Sequence, residues 1–100
     1  MTAEEGWRLI EESRAKIDAL DRKLVELLNE RTRLVENIGR AKEALDLPVQ
    51  ESSREDDVFR NVLAHNGGPV PPDALRRIFD RIIEEMRGLQ GMRRQSRAKQ

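Results

Sequence analysis

The sequence contains no cysteine, and that absence removes disulfides, thiolate catalysis and cysteine-based metal sites together. Histidine is nearly as scarce: His65 stands alone, so a histidine-rich metal centre is not expected. No apolar run approaches the roughly 18 residues that a helix across a bilayer requires. The 19 basic and 19 acidic residues cancel, so no global field steers the chain toward nucleic acid or an anionic membrane. The N-terminal MTAEEGWRLIEE is acidic where a secretory signal is basic, and it lacks an apolar core; it predicts a cytoplasmic protein. Nothing alternates with period two over a useful length, so no strand is expected. What remains is a 100-residue chain of single-domain length, 37% apolar and 38% charged, the balance of a soluble protein with a largely polar surface.

Proline is missing from Glu4 to Ala44, β-branched residues are few there, and apolar positions recur every 3.5 to 3.6 residues. The pattern predicts one helix of about 60 Å, far longer than the radius of about 13 Å expected for a compact globule of this size. Its seam cannot be buried inside a monomer, and a homodimer with interlocked long helices is expected. Pro48 should stop this helix near Asp46 and Leu47. A second helix should begin at Ser52 or Ser53 as N-cap, bury Val58, Phe59, Val62 and Leu63, and stop at Asn66-Gly67-Gly68. A third should start at Pro72 or Asp73, carry Leu75, Ile78, Phe79, Ile82, Ile83, Met86 and Leu89 on one stripe, and run to about Gly91. The expected architecture is therefore all-α: three helices, one very long, in an intertwined homodimeric bundle. Residues 1–92 form the domain, and 93–100 are read as a solvated, disordered basic tail.

Polar residues interrupt the apolar stripes. Counting in sevens from Ile10 gives Ile17, Leu24, Arg31, Ile38 and Leu45, so a guanidinium occupies the middle of a heptad seam. Arg31 can set the register of a coiled coil, or it can bind an anion. Lys42 follows it by eleven residues, almost a whole number of turns, which puts both side chains on one face about 16 Å apart. Gln90 continues the third helix's stripe, where an amide without partners costs on the order of 1 to 3 kcal/mol. Three inward donors on different segments point to a shared polar pocket. Arg14 lies about 25 Å from Arg31 and about 42 Å from Lys42 along a straight helix, so it can join that pocket only from a second chain. Glu51, Arg54 and Glu55 can share one face of the second helix's first turn, either as capping residues or as hydrogen-bond acceptors for a ligand hydroxyl. His65 reads as a residue interacting with a helix C-terminus, and Trp7 as a packing anchor.

The segments SRAKIDALDRKLVELLNERTRLVENIGRAK, LPVQESSRE and IFDRIIEEMRGLQ together resemble the all-helical chorismate mutases, over roughly residues 8 to 90. The resemblance implies conversion of chorismate to prephenate in phenylalanine and tyrosine biosynthesis, without metal or cofactor. It implies that Arg31 and the partner's Arg14 hold the two substrate carboxylates, with Arg54 assisting. Lys42 and Gln90 would donate to the ether oxygen, and Glu51 and Glu55 would engage the ring hydroxyl. Met86 stands where many members carry a serine, and Glu51 where an aspartate is common. The chemistry is compatible with the composition. A concerted rearrangement needs no nucleophile or proton relay; it needs a dianion held in a compact conformer and donors at the oxygen that gains charge.

Two other functions share parts of the pattern. A lyase of the same fold, which removes pyruvate from isochorismate to give salicylate, resembles the chain at the arginine, lysine and glutamine positions, but LPVQESSRE fits the mutase loop better. A non-catalytic helical module docking on another shikimate-pathway enzyme would not need the intact polar set.

Overall fold

The computed structural model describes residues 1–99, which form three helices in the order α1 (Ala3–Ala44), α2 (Ser52–Ala64) and α3 (Pro72–Ala98), with no strand among the described residues. None of these helices is long and apolar enough to cross a membrane. The chain divides into two compact units at residue 34. The first holds the N-terminal part of α1 alone; the second holds the C-terminal end of α1 with α2 and α3.

In the first unit, α1 opens on a cap that its sequence explains. Thr2 Oγ1 accepts the Glu5 backbone N–H at 3.1 Å, and Glu4 and Glu5 place negative charge in the first turn, where the helix dipole favours it. The predicted seam is present but bare: Ile17, Leu20, Leu24, Leu27 and Leu34 are all more than half exposed. Contiguous apolar exposure of this kind is the mark of an interaction surface.

In the second unit, α1 ends on a left-handed residue. Asp46 has φ 55°, the Leu47 N–H bonds the Lys42 carbonyl at 2.7 Å, and the Asp46 N–H bonds the Glu43 carbonyl at 3.2 Å. This pair of bonds is a Schellman closure, so the helix stops two residues before Pro48 takes effect. α2 begins differently from expectation. Glu51, in extended conformation, is its N-cap and makes no side-chain cap bond; Ser52 and Ser53 lie inside the helix, because the extended chain leaving Pro48 turns helical only after Glu51. His65 closes α2, with Nδ1 2.8 Å from the Asn61 carbonyl oxygen. Asn66 then ties the loop, donating from Nδ2 to the Val70 carbonyl and accepting the Gly68 N–H, while Gly68 supplies a positive φ of 79°.

α3 starts with Pro72 at its first helical position, where a missing N–H is not needed. It packs on α2; Phe59 of α2 and Met86 of α3 are buried, and the Arg76 guanidinium lies 4.3 Å from the Phe59 ring centroid. Of the expected α3 stripe, Ile78 is exposed. The basic tail expected over 93–100 is not free: α3 continues to Ala98, and Gln100 lies outside the described residues. RRQSRA holds no helix breaker, and Arg94 and Arg97, three apart on one face, reach back to the end of α1. Arg94 Nη1 donates to the Leu47 carbonyl at 2.9 Å, and Arg97 Nε meets Glu43 Oε2 at 2.5 Å.

Candidate active site

The Schellman turn at Asp46 folds the following segment back over the last turn of α1, and Lys42 is held there. Its side chain is only 12% exposed, and Nζ lies 2.8 Å from Glu51 Oε1 and donates to the Val49 carbonyl at 3.0 Å. An ammonium has three donors, so these two partners orient it and leave one N–H for a ligand.

Gln90 is 7% exposed, a buried amide on an otherwise apolar stripe. Its Nε2 donates to the Val35 carbonyl at 2.8 Å. Only the amide nitrogen can donate to a carbonyl, so this bond decides which way the amide points and leaves a second N–H in a fixed direction. Gly39 lies beside the amide: it is buried, and a β-carbon there would stand 3.4 Å from Gln90 Cγ and 3.5 Å from Nε2, at van der Waals contact, so any larger side chain would meet the glutamine. Val35, Gly39 and Lys42, spaced four and three apart, share one face of α1. Lys42 therefore projects from the α1 face against whose Val35 carbonyl the α3 residue Gln90 is oriented.

Glu55 turns from the first turn of α2 toward α3, where its Oε1 meets Arg87 Nη1 at 2.5 Å with both side chains part-buried. Met86, one turn before Gln90, is buried. Arg54 is exposed on α2. Arg31, half-buried, and Arg14, exposed, belong to the first unit. The second unit thus gathers Lys42 with Glu51 directly, and brings Glu55 and Gln90 to one stretch of α3. Three participants are not among the residues singled out from the sequence: Gly39, Arg87 and the Val49 carbonyl. A glycine inside a helix, three residues before a lysine on the same face, is a recognisable sign of close approach. Arg87 carries no comparable signal beyond its spacing of three from Gln90.

Chemically, N–H donors already fixed by protein partners suit an oxygen that becomes negative during reaction, since they need no reorganisation when the charge develops. Comparisons with known proteins identify the family. Residues 13–91 match the family described as chorismate mutase type II. A bifunctional chorismate mutase/prephenate dehydratase of Aquifex aeolicus is 37% identical over 78 residues, covering 74% of this chain and 22% of that protein. The chain thus spans well under a third of such bifunctional relatives. A chorismate mutase of Methanocaldococcus jannaschii is 30% identical over 83 residues, covering 79% of this chain and 81% of that one. Among solved structures, form II of the chorismate mutase from Thermus thermophilus superposes with a TM-score of 0.80 at 34% identity, covering 82% of this chain and 93% of that chain. On sequence and fold together, the chain belongs to the chorismate mutase type II family.

Proposed function

We propose that the protein is an isomerase that converts chorismate to prephenate. The observation that carries this reading is the pair of oriented donors, Lys42 Nζ held by Glu51 and Val49, and Gln90 Nε2 held by Val35. In the rearrangement the ether C–O bond breaks as a C–C bond forms, and the departing oxygen gains negative charge. Lys42 and Gln90 are the donors to that oxygen. One preorganised donor of this kind contributes about 3 to 4 kcal/mol to lowering the barrier. Glu55, with Glu51 beside Lys42, accepts the ring hydroxyl. Arg31, Arg54 and the partner's Arg14 neutralise the two carboxylates, and arginine suits the task because its planar fork matches a carboxylate.

The reading includes a homodimer with sites shared between protomers. Its support is the uncovered seam of α1 and the distance that separates Arg14 from Lys42 along any straight helix. A cytoplasmic location belongs to the same reading.

The test follows chorismate by its absorbance. Wild-type protein should consume chorismate and yield prephenate, and Lys42→Ala should abolish turnover, by about 10²-fold or more, with helix content unchanged by circular dichroism. Salicylate from isochorismate without prephenate from chorismate would assign the protein to the lyase reaction instead. Unaltered turnover in Lys42→Ala would remove the donor pair from the mechanism.

A further inference from the structure

We infer that Arg87 is a positioning residue for hydroxyl recognition: it holds the Glu55 carboxylate in the orientation that accepts the ring hydroxyl of the substrate. This rests on the function proposed above and adds to it a residue that does not touch substrate.

The Arg87–Glu55 pair differs in kind from the ion pairs on the helix surfaces. Arg81 with Glu84 and Glu85, and Arg60 with Asp57, are neighbours on one helix with both partners more than half exposed. Arg87 and Glu55 are 32 residues apart, join α3 to the first turn of α2, and retain only 34% and 26% of their side-chain exposure. Local pairs of the first kind contribute little and fix nothing beyond their own helix. A part-buried pair across two helices fixes a direction.

That direction matters because of what surrounds it. Glutamate has three rotatable side-chain bonds, so several rotamers could carry its carboxylate to different positions. The Arg87 contact, with Nη1 on Oε1 at 2.5 Å, removes that freedom at one oxygen. An ionised carboxylate has about four acceptor sites, so Oε2 remains open to a hydroxyl. Arg87 also precedes Gln90 by three residues on the same helix, a spacing that places the two side chains on adjacent positions of one face. The acceptor for the hydroxyl and the donor for the ether oxygen are therefore both referenced to the same turn of α3. A shift of Glu55 relative to Gln90 would misplace a bound ring, and Arg87 is the side chain that prevents it.

The experiment measures kcat and KM of the full chain for two substrates, chorismate and the analogue in which hydrogen replaces the ring hydroxyl. In the wild type, chorismate should be preferred through its hydroxyl. Arg87→Met should raise KM for chorismate about five- to twentyfold with kcat changed less than threefold, and should leave KM for the analogue within about twofold, since a contact equally strong in ground and transition states appears in KM. Arg87→Lys, which keeps the charge without the planar fork, should fall between. Glu55→Gln combined with Arg87→Met should lose no more selectivity than either change alone, the mark of two residues acting as one unit. Arg87→Gln serves as a milder variant should Arg87→Met melt at the assay temperature. Equal losses for both substrates, or no loss, would overturn the role of Arg87 while leaving the proposed reaction standing. A wild-type chain inactive on chorismate would instead overturn the reaction itself, and this inference with it.

Discussion

Gly39 on α1 faces Gln90 on α3 so closely that a β-carbon on the glycine would lie 3.4 Å from Gln90 Cγ. The glycine sits inside a helix, where it costs about 1 kcal/mol relative to alanine. The glutamine leaves room there for a methyl group at van der Waals contact, and for nothing larger.

The first prediction uses that contact. At 3.4 Å an added methyl meets Gln90 at ordinary van der Waals distance, so Gly39→Ala should raise stability by about 0.5 to 1 kcal/mol and keep chorismate turnover within about threefold. Gly39→Leu has no room and must push the glutamine off the Val35 carbonyl. Its turnover should fall about 10²-fold, as for Gln90→Met. Thermal melts and the absorbance assay read both effects. Full activity in Gly39→Leu would show that Gln90 acts from another position.

A second prediction concerns the turn that carries Lys42's partners. Asp46 adopts φ 55°, a region costing non-glycine residues about 1 kcal/mol, somewhat less for aspartate. Glycine relieves that cost but brings back unfolded-state entropy of about 0.5 kcal/mol. Asp46→Gly should therefore gain about 0.5 kcal/mol, or roughly 2–4 °C in Tm, with activity preserved. Asp46→Val should lose stability and activity together, because the Leu47 to Lys42 closure and the Val49 contact share this turn. An Asp46→Val variant as active as the wild type would separate the turn from the site.

The three helices were legible because their signals are local. A proline-free stretch with a 3.6-residue period, Pro72 at a helix start and glycines after Asn66 each act within a few residues. The misplaced features depend on tertiary partners. The C-terminal arginines read as a solvated tail because no pattern announces Glu43 or the Leu47 carbonyl as acceptors, which only the fold of α1 against α3 supplies. Arg87 was hidden for the same reason, its partner being 32 residues away. Arg31 and Gln90 stood out because charge and amide on apolar stripes are conspicuous before any partner is known, and Lys42 because it follows Arg31 by almost a whole number of turns. Asp46 shows a third case: proline at 48 announced a stop, but the left-handed closure that makes it depends on backbone geometry that aspartate tolerates without advertising.

The third prediction tests whether sites are shared between protomers. Arg14 and Arg31 belong to the first unit, whose leucine and isoleucine face is uncovered in a single chain. If each site takes Arg31 from one chain and the partner's Arg14 from the other, Arg14→Ala and Arg31→Ala homodimers are both nearly inactive. Mixing them in equal amounts with subunit exchange makes half the dimers mixed, and each mixed dimer has one site with both arginines and one with neither. The mixture should then recover about a quarter of wild-type activity, as twofold symmetry requires. Were both arginines drawn from one chain, no mixed dimer would hold a complete pair at either site, and activity would stay at the level of the separate variants. Exchange is followed independently by mass-tagged subunits, so a flat result with confirmed exchange would place Arg14 and Arg31 in the same protomer's site or exclude Arg14 from it.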